Sequence, residues 1–383
     1  MSDAQIQDVN IELGDDMSRF LYAASKQTQG NRPGLVTDIG GTFSGFRSIP
    51  LSQFPDSINL SMGINSDGVG TKIEVSERIR DHSTIAFDLF AMVCDDAVVR
   101  GAEPIIVSSV LDVRQLNDTE ETRQVMRQLA EGYVAAAKAA NVVVFNGELA
   151  ELGNRVGGYG SFNYNWGSTV FWLVHKDRIL TGDKIKVGDA IVGLAEPGFR
   201  SNGITDVRKA MLQKHGENWQ SQKVSSLSSL PTTLGKLVAT SSTIYTPFVT
   251  ALTGGYDITR KPLAEISGVA HITGGGQPSK IGRLLQQTNG LGAIIIDPIK
   301  PPAIMQYVQR LCAFDDYTAY GKWHMGPGMI ITTPEPDKVI AVAPQYGITA
   351  QQIGRITNSG RIQIQSWGIN TPGQYLSFPI QKI

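Results

Sequence analysis

The sequence predicts an α/β fold in two domains, and three observations lead there. Apolar runs of strand length alternate with longer segments of helical periodicity. The 41 glycines, about half again the number that average usage of roughly 7% would give, gather in clusters beside charged residues. The 383 residues exceed one ordinary domain of about 150.

Residues 1–35 are polar, with one amphipathic stretch at 17–25, and lead into the glycine-rich Asp38-Ile-Gly-Gly-Thr-Phe-Ser-Gly45. From there the pattern predicts a strand at 58–64, a glycine-rich turn, a helix at 84–100, a strand at 104–111, a helix at 120–140 and strands at 142–145 and 168–174. The 120–140 helix is the plainest. Val125, Leu129, Tyr133 and Ala137 recur every four residues, and Asp118 with Glu121 resembles a capping box. Residues 176–189 are charged and turn-rich, so the domains are expected to span 1–175 and 176–383. The second half opens with a strand at 190–194 and a helix at 204–214, and residues 220–229 read as a surface insertion.

Composition excludes several classes of function. Lys and Arg number 34 against 35 Asp and Glu, so no basic surplus exists to bind nucleic acid. Cys94 and Cys312 alone cannot make a disulfide scaffold or a cysteine-rich zinc site, and they suit a cytoplasmic protein. The N-terminus lacks a secretory pattern, and no apolar run approaches the roughly 18 residues of a membrane span. Neither a Gly-x-Ser-x-Gly elbow nor a His-Glu-x-x-His helix occurs.

What remains points to phosphate and a divalent cation. In Asn65-Ser-Asp-Gly-Val-Gly-Thr-Lys72, Gly68 and Gly70 permit a tight turn, Lys72 adds positive charge and Asp67 is a candidate cation ligand; a hairpin with surface charges explains the segment equally well. On the apolar helix at 84–100, Asp88 and Asp95 lie within about 20° of each other, with Asp96 about 80° round from Asp88. Acids on so apolar a helix need cations or a metal ion. Glu148 ends a strand, where α/β domains place site residues. Ser201 or Asn202 suits a helix N-cap beside Arg200. Gly274, Gly275 and Gly276 follow His271 and precede a helix expected from Lys280, consistent with a ligand approaching the backbone closely. His324-Met-Gly-Pro-Gly-Met-Ile-Ile331 reads as packing.

Taken in order, Ser66-Asp-Gly-Val-Gly-Thr-Lys72, Asp88 to Asp96, Arg100-Gly-Ala-Glu-Pro104, Asn146-Gly-Glu-Leu-Ala-Glu151, Arg200-Ser-Asn-Gly203, Ala270-His-Ile-Thr-Gly-Gly-Gly276 and Met325-Gly-Pro-Gly-Met329 form a series. It resembles that of the aminoimidazole ribonucleotide synthetase (phosphoribosylformylglycinamidine cyclo-ligase) family, over nearly the whole chain. The resemblance implies two α/β domains, a homodimer whose N-terminal domains share a β-barrel, and ATP with Mg²⁺ acting on a small nucleotide substrate. By similarity, ATP phosphorylates the formyl amide oxygen of formylglycinamidine ribonucleotide and the amidine nitrogen closes the ring. Asp67, Asp88, Asp96 and Glu148 match the metal-binding acids. Lys72, Asp96 and His271 are the implied catalytic groups, and Asp67, Gly68, Gly70, Thr71, Lys72, Asn202, Gly274, Gly275 and Gly276 the implied nucleotide contacts.

The sequence also departs from that pattern. The family's N-terminal Tyr-Lys-Asp is Ile6-Gln-Asp8, its Thr-Asp-Gly is Ser66-Asp-Gly68, its Asn-Asp is Asp95-Asp96, and its Gly-Gly-Glu-Thr-Ala-Glu is Asn146-Gly-Glu-Leu-Ala-Glu151. Arg200 replaces a His, and His324 an Asn. Rival readings are another ATP-using member of the superfamily, kinase-like or amide-activating, and a silent nucleotide-binding homologue. The reactive N-terminal Cys of selenophosphate synthetase and the terminal Cys of the carbamoyl-dehydrating maturation protein have no counterpart here.

Overall fold

The computed structural model describes residues 11–39, 46–286, 288 and 290–380. Residues 40–45 of the first glycine-rich segment and the Ile6-Gln-Asp8 departure lie outside them. Helix α1 (Ile11–Gln27) precedes a short hairpin of β1 (Thr37–Ile39) and β2 (Phe46–Ser48). Strands β3 (Leu60–Gly68), β4 (Glu103–Val113), β5 (Val143–Glu151) and β6 (Tyr164–His175) then make one sheet in the order β3-β6-β4-β5. Helix α2 (Ile73–Ile79) follows β3, α3 (Ile85–Val98) leads to β4, and α4 (Glu120–Ala140) crosses over so that β5 lies parallel to β4.

Helix α4 spans the residues its periodicity predicts. Its cap differs from the capping box expected of Asp118 and Glu121: the Thr119 hydroxyl accepts the Thr122 N–H at 3.1 Å. Strands β3 and β5 outrun their predicted ends, because β6 and β4 offer backbone partners as far as Gly68 and Glu151. Asp67 and Gly68 therefore belong to a paired strand, and the turn begins only at Val69. Helices α3 and α4 bury one sheet face with Leu89, Phe90, Val93, Met126 and Leu129. On the opposite face Met62 and Ile64 are 71% and 68% exposed.

The second half is built on a seven-stranded sheet. Its chain order is β7 (Ala190–Ala195), α5 (Ile204–His215), a small hairpin of β8 (Lys223–Val224) and β9 (Thr232–Thr233), α6 (Leu234–Val238) and α7 (Thr246–Thr253). Then come β10 (Gly268–His271), α8 (Gly276–Leu285), β11 (Gly292–Ile295), α9 (Ala303–Cys312), α10 (Asp316–Lys322), β12 (Pro327–Thr333), α11 (Pro336–Val342), β13 (Ala350–Thr357), β14 (Arg361–Gln365) and β15 (Tyr375–Pro379). The strand order is β10-β12-β7-β13-β11-β14-β15. Near-continuous apolar burial along β7 and β12 fits strands covered on both faces. The stretch at 220–229 is largely exposed, as its composition predicts, and is anchored at its start. Trp219 and Gln220 are buried, and the Gln222 carbonyl accepts the Leu234 N–H.

Gly132 marks where α4 packs most closely. A Cβ there would stand 2.2 Å from the Ser83 carbonyl oxygen. Gly→Ala inside a helix ordinarily stabilises by up to about 1 kcal/mol. Gly132→Ala should instead destabilise by roughly 1–3 kcal/mol, seen as a lower urea midpoint with an unchanged m-value.

Candidate active site

Three chain segments converge beside α3. Strand β3 brings in Asp67 one residue before its end, and the loops before α5 and α8 bring Asn202 and Gly274 together, the Asn202 amide nitrogen lying 3.7 Å from where a Gly274 Cβ would be. The expected side-chain cap on α5 is not made. Gly203, with φ +79°, takes the N-cap position, leaving the Ser201 hydroxyl and the Asn202 carbonyl oxygen buried and without a partner. The glycine triplet is explained mainly by packing. Gly276 has φ +60°, and a Cβ on it would lie 1.8 Å from the Tyr320 carbonyl, while its own N–H is taken by Thr273. Gly274 and Gly275 are both exposed, but only at Gly274 is there room for a Cβ, since one on Gly275, with φ +89°, would meet the Ser279 side chain at 2.6 Å.

Beneath this cleft lies a buried network centred on Arg200. Its guanidinium donates to Glu196 Oε2 at 2.5 Å, Asp95 Oδ2 at 3.1 Å, the Thr243 carbonyl at 3.0 Å and His271 Nε2 at 2.7 Å. Asp95 Oδ1 also accepts the Tyr245 N–H and the Thr246 hydroxyl, both at 2.9 Å. An arginine only donates, so Nε2 of His271 is the acceptor and its proton sits on Nδ1. That N–H reaches Asp96 Oδ1 at 2.6 Å. Burial, and then the charge of Arg200, hold the His271 pKa below its usual 6.5, which keeps the ring neutral.

Asp96 is the network's open end, its side chain 42% exposed beside the buried His271. Burial pushes its carboxyl up, but the hydrogen bond from His271 and the charges of Lys280 and Arg100 outweigh this and hold it below the usual range. Asp67 moves the other way. Partial burial raises it, against the Gly68 N–H at 2.7 Å, and the charge of Asp96 raises it further. Lys280, in the second turn of α8, feels both acids; burial and Arg283 lower its pKa while Asp96 and Asp67 oppose them. The cleft thus presents two carboxylates and one lysine. That set suits a phosphate with a divalent cation, since Mg²⁺ takes one or two carboxylates and completes its shell with phosphate oxygens and water.

Comparison with known proteins places this arrangement. Residues 57–165 match the model of the AIR synthase related protein N-terminal domain, and residues 251–366 that of the corresponding C-terminal domain. A phosphoribosylformylglycinamidine cyclo-ligase of Acetivibrio thermocellus is 32% identical over 84% of this chain and 87% of its own. The chain belongs to the AIR synthase related family. Another cyclo-ligase, from Methanocaldococcus jannaschii, is 32% identical over 77% of this chain and 78% of its own. The fold is also that of more distant solved structures. Thiamine-monophosphate kinase of Stenotrophomonas maltophilia superposes with a TM-score of 0.58 at 14% identity, over 93% and 96% of the two chains. The hydrogenase maturation protein HypE in complex with ATP gives 0.53 at 13% identity, over 85% of each.

Within this family frame, several site residues expected from the sequence lie elsewhere. Lys72 is fully buried. Its three ammonium protons go to Asp88 Oδ1 at 2.8 Å and to the carbonyls of Phe199 and Thr240, each at 2.6 Å, so none is left for a phosphate. Asp88, 1% exposed, accepts from Lys72 and the Ser242 hydroxyl, and is an internal ion-pair partner rather than an open metal ligand. Glu148 is exposed in the strand row Gly68, Gly167, Val110, Glu148. It is three strands, about 14 Å, from Gly68 and on the opposite face from Asp67, so one chain does not join it to the other acids. Among the described residues no group of three or more His, Cys, Asp or Glu side chains is placed to hold a metal ion. Asp67, Asp96, Asn202 and Gly274 do meet in the cleft, with Gly70 and Thr71 exposed on the turn beyond Asp67, where Thr71 contacts Thr205 of α5 at 3.2 Å.

Two of the departures from the family pattern explain each other. Asp95 and Arg200, standing where the family has Asn and His, are ion-pair partners. His324 is buried, its Nε2 donating to the Gly198 carbonyl at 2.8 Å and its Nδ1 accepting the Gly326 N–H at 3.1 Å; burial lowers its pKa to about 4. Sequence reading missed Lys280, Glu196 and Thr246. Glu196, four residues before Arg200, was the readable signal, although a turn rather than a helix joins them. Arg200→Met should cost about 3–5 kcal/mol, because Glu196 and Asp95 stay buried without their cation. Chemical denaturation measures that loss, and a cost below 1 kcal/mol would contradict the network.

Proposed function

We propose that this chain is an ATP-dependent cyclo-ligase that converts formylglycinamidine ribonucleotide to aminoimidazole ribonucleotide. ATP transfers its γ-phosphoryl group to the formyl amide oxygen, the amidine nitrogen attacks the activated carbon, and phosphate leaves as the imidazole closes. ADP is the other product. The observation that carries this reading is the pair of open carboxylates, Asp67 and Asp96, facing the α5 and α8 starts, in a chain about 30% identical to cyclo-ligases over most of its length. The ATP-bound HypE structure of the same fold supports ATP as the phosphoryl donor.

Asp67 and Asp96 are the residues to hold Mg²⁺, which would neutralise charge on the transferring phosphoryl group. Asp96 keeps its charge because His271 donates to it, and His271 keeps its tautomer because Arg200 occupies its other nitrogen. His271 is thus a positioning residue. Asn202, the Gly274 and Gly275 backbone and Lys280 lie where phosphate or ribose oxygens need partners, and Gly68, Gly70 and Thr71 form the facing turn. We further propose that residues 1–175 and 176–383 are the two domains, that the protein is cytoplasmic, and that two copies pair through the exposed sheet face of Met62, Ile64 and Val110. A surface of that kind in a monomer would be an aggregation liability. Glu148 shares this face, so its contribution to a metal site would arise between subunits.

The test is to incubate the purified protein with formylglycinamidine ribonucleotide, ATP and Mg²⁺, following ADP and the diazotisable aminoimidazole together. Equal formation of both is expected, and ATP binding without either product would overturn the reading. Asp67→Asn should reduce turnover at least ~100-fold with a nearly unchanged melting temperature; full activity would remove Asp67 from the metal site.

A further inference from the structure

A second cavity of about 650 Å³ lies between the two halves, lined by none of the cleft residues described above. That volume is within the range of small-molecule sites, roughly 300–1,000 Å³. The N-terminal half contributes Arg32, Glu103 and the end of α4 with Lys138; the C-terminal half contributes one side of α7, Arg260, Lys261 and Tyr346.

The charge balance of its wall is unlike that of the whole chain. Four cations, Arg32, Lys138, Arg260 and Lys261, surround one carboxylate, Glu103, in a protein whose net charge is -1. Glu103 is already matched. Arg32 holds its Oε1 at 2.8 Å, and Arg260 and the Tyr256 N–H hold its Oε2. Lys138 and Lys261 are exposed on the wall and have no carboxylate partner among the described residues. Thr250, 9% exposed, also lines the cavity, and its hydroxyl has no hydrogen-bond partner. Leu263 and Tyr346, 45% and 40% exposed, supply an apolar and aromatic side.

We propose that this cavity binds a mononucleotide, with its phosphate between Lys138 and Lys261 and its base against Tyr346 and Leu263. Two lysines without carboxylate partners on one cavity wall attract a dianion, and exposed aromatic and aliphatic side chains accept a flat, weakly hydrated base. The site also has a route to the catalytic cleft. Its wall includes Thr246, the first residue of α7, whose hydroxyl donates to Asp95 in the Arg200 network.

The experiment is equilibrium dialysis of labelled AMP against the full chain, with the catalytic cleft filled by saturating Mg²⁺ and a non-hydrolysable ATP analogue. One AMP per chain is expected, bound more weakly as salt rises. In the double variant Lys138→Glu/Lys261→Glu affinity should fall at least ~10-fold, equivalent to about 1.4 kcal/mol, with the melting temperature and analogue binding unchanged. No AMP uptake at millimolar concentration, or equal affinity in the double variant, would overturn the proposal. Because the measurement needs no turnover, its outcome is separate from that of the ring-closure assay.

Discussion

The burial of one guanidinium organises this molecule. Arg200 is 2% exposed and lies between the two sheets, where an unpaired cation would be prohibitively costly. Two carboxylates from different halves match it, Asp95 on α3 and Glu196 after β7. The same guanidinium fixes the tautomer of His271, and His271 in turn orients Asp96 at the cleft. Packing, charge and site geometry thus meet at one side chain.

Helix α3 is where these demands combine. Its apolar residues bury against the N-terminal sheet and α4, while Asp88, Asp95 and Asp96 each meet a group outside the helix. Lys72 repeats the logic of Arg200 on a smaller scale, joining Asp88 to two carbonyls of the C-terminal half. The halves are therefore tied by buried charge at two places, and relative movement there would break hydrogen bonds to ions. Such ties favour one arrangement over others more than they add net stability, because the desolvation of each ion offsets its attraction.

Local signals carried the fold well. The 120–140 helix was legible because four-residue periodicity and a helix start coincided, and the α3 acids were legible as needing partners because the helix around them is apolar. The nature of those partners was not. Lys72 and Arg200 are 16 and 105 residues from the acids they neutralise, and no local pattern tells a lysine that follows glycines whether to meet solvent or a buried aspartate. The position of Glu148 relative to the other acids was illegible for a similar reason, since strand order and register decide which acids share a face. The triple glycine suggested a ligand, yet at Gly276 the near approach is that of Tyr320.

The most direct measurement of the Arg200 account is the protonation state of His271, read from nitrogen-15 shifts of the labelled histidines with the His271 signal assigned by its loss in His271→Gln. The account predicts a neutral ring protonated on Nδ1 at pH 6.5, where an ordinary histidine is half charged. An imidazolium at that pH, or a proton on Nε2, would contradict it, because neither leaves a lone pair for the Arg200 guanidinium.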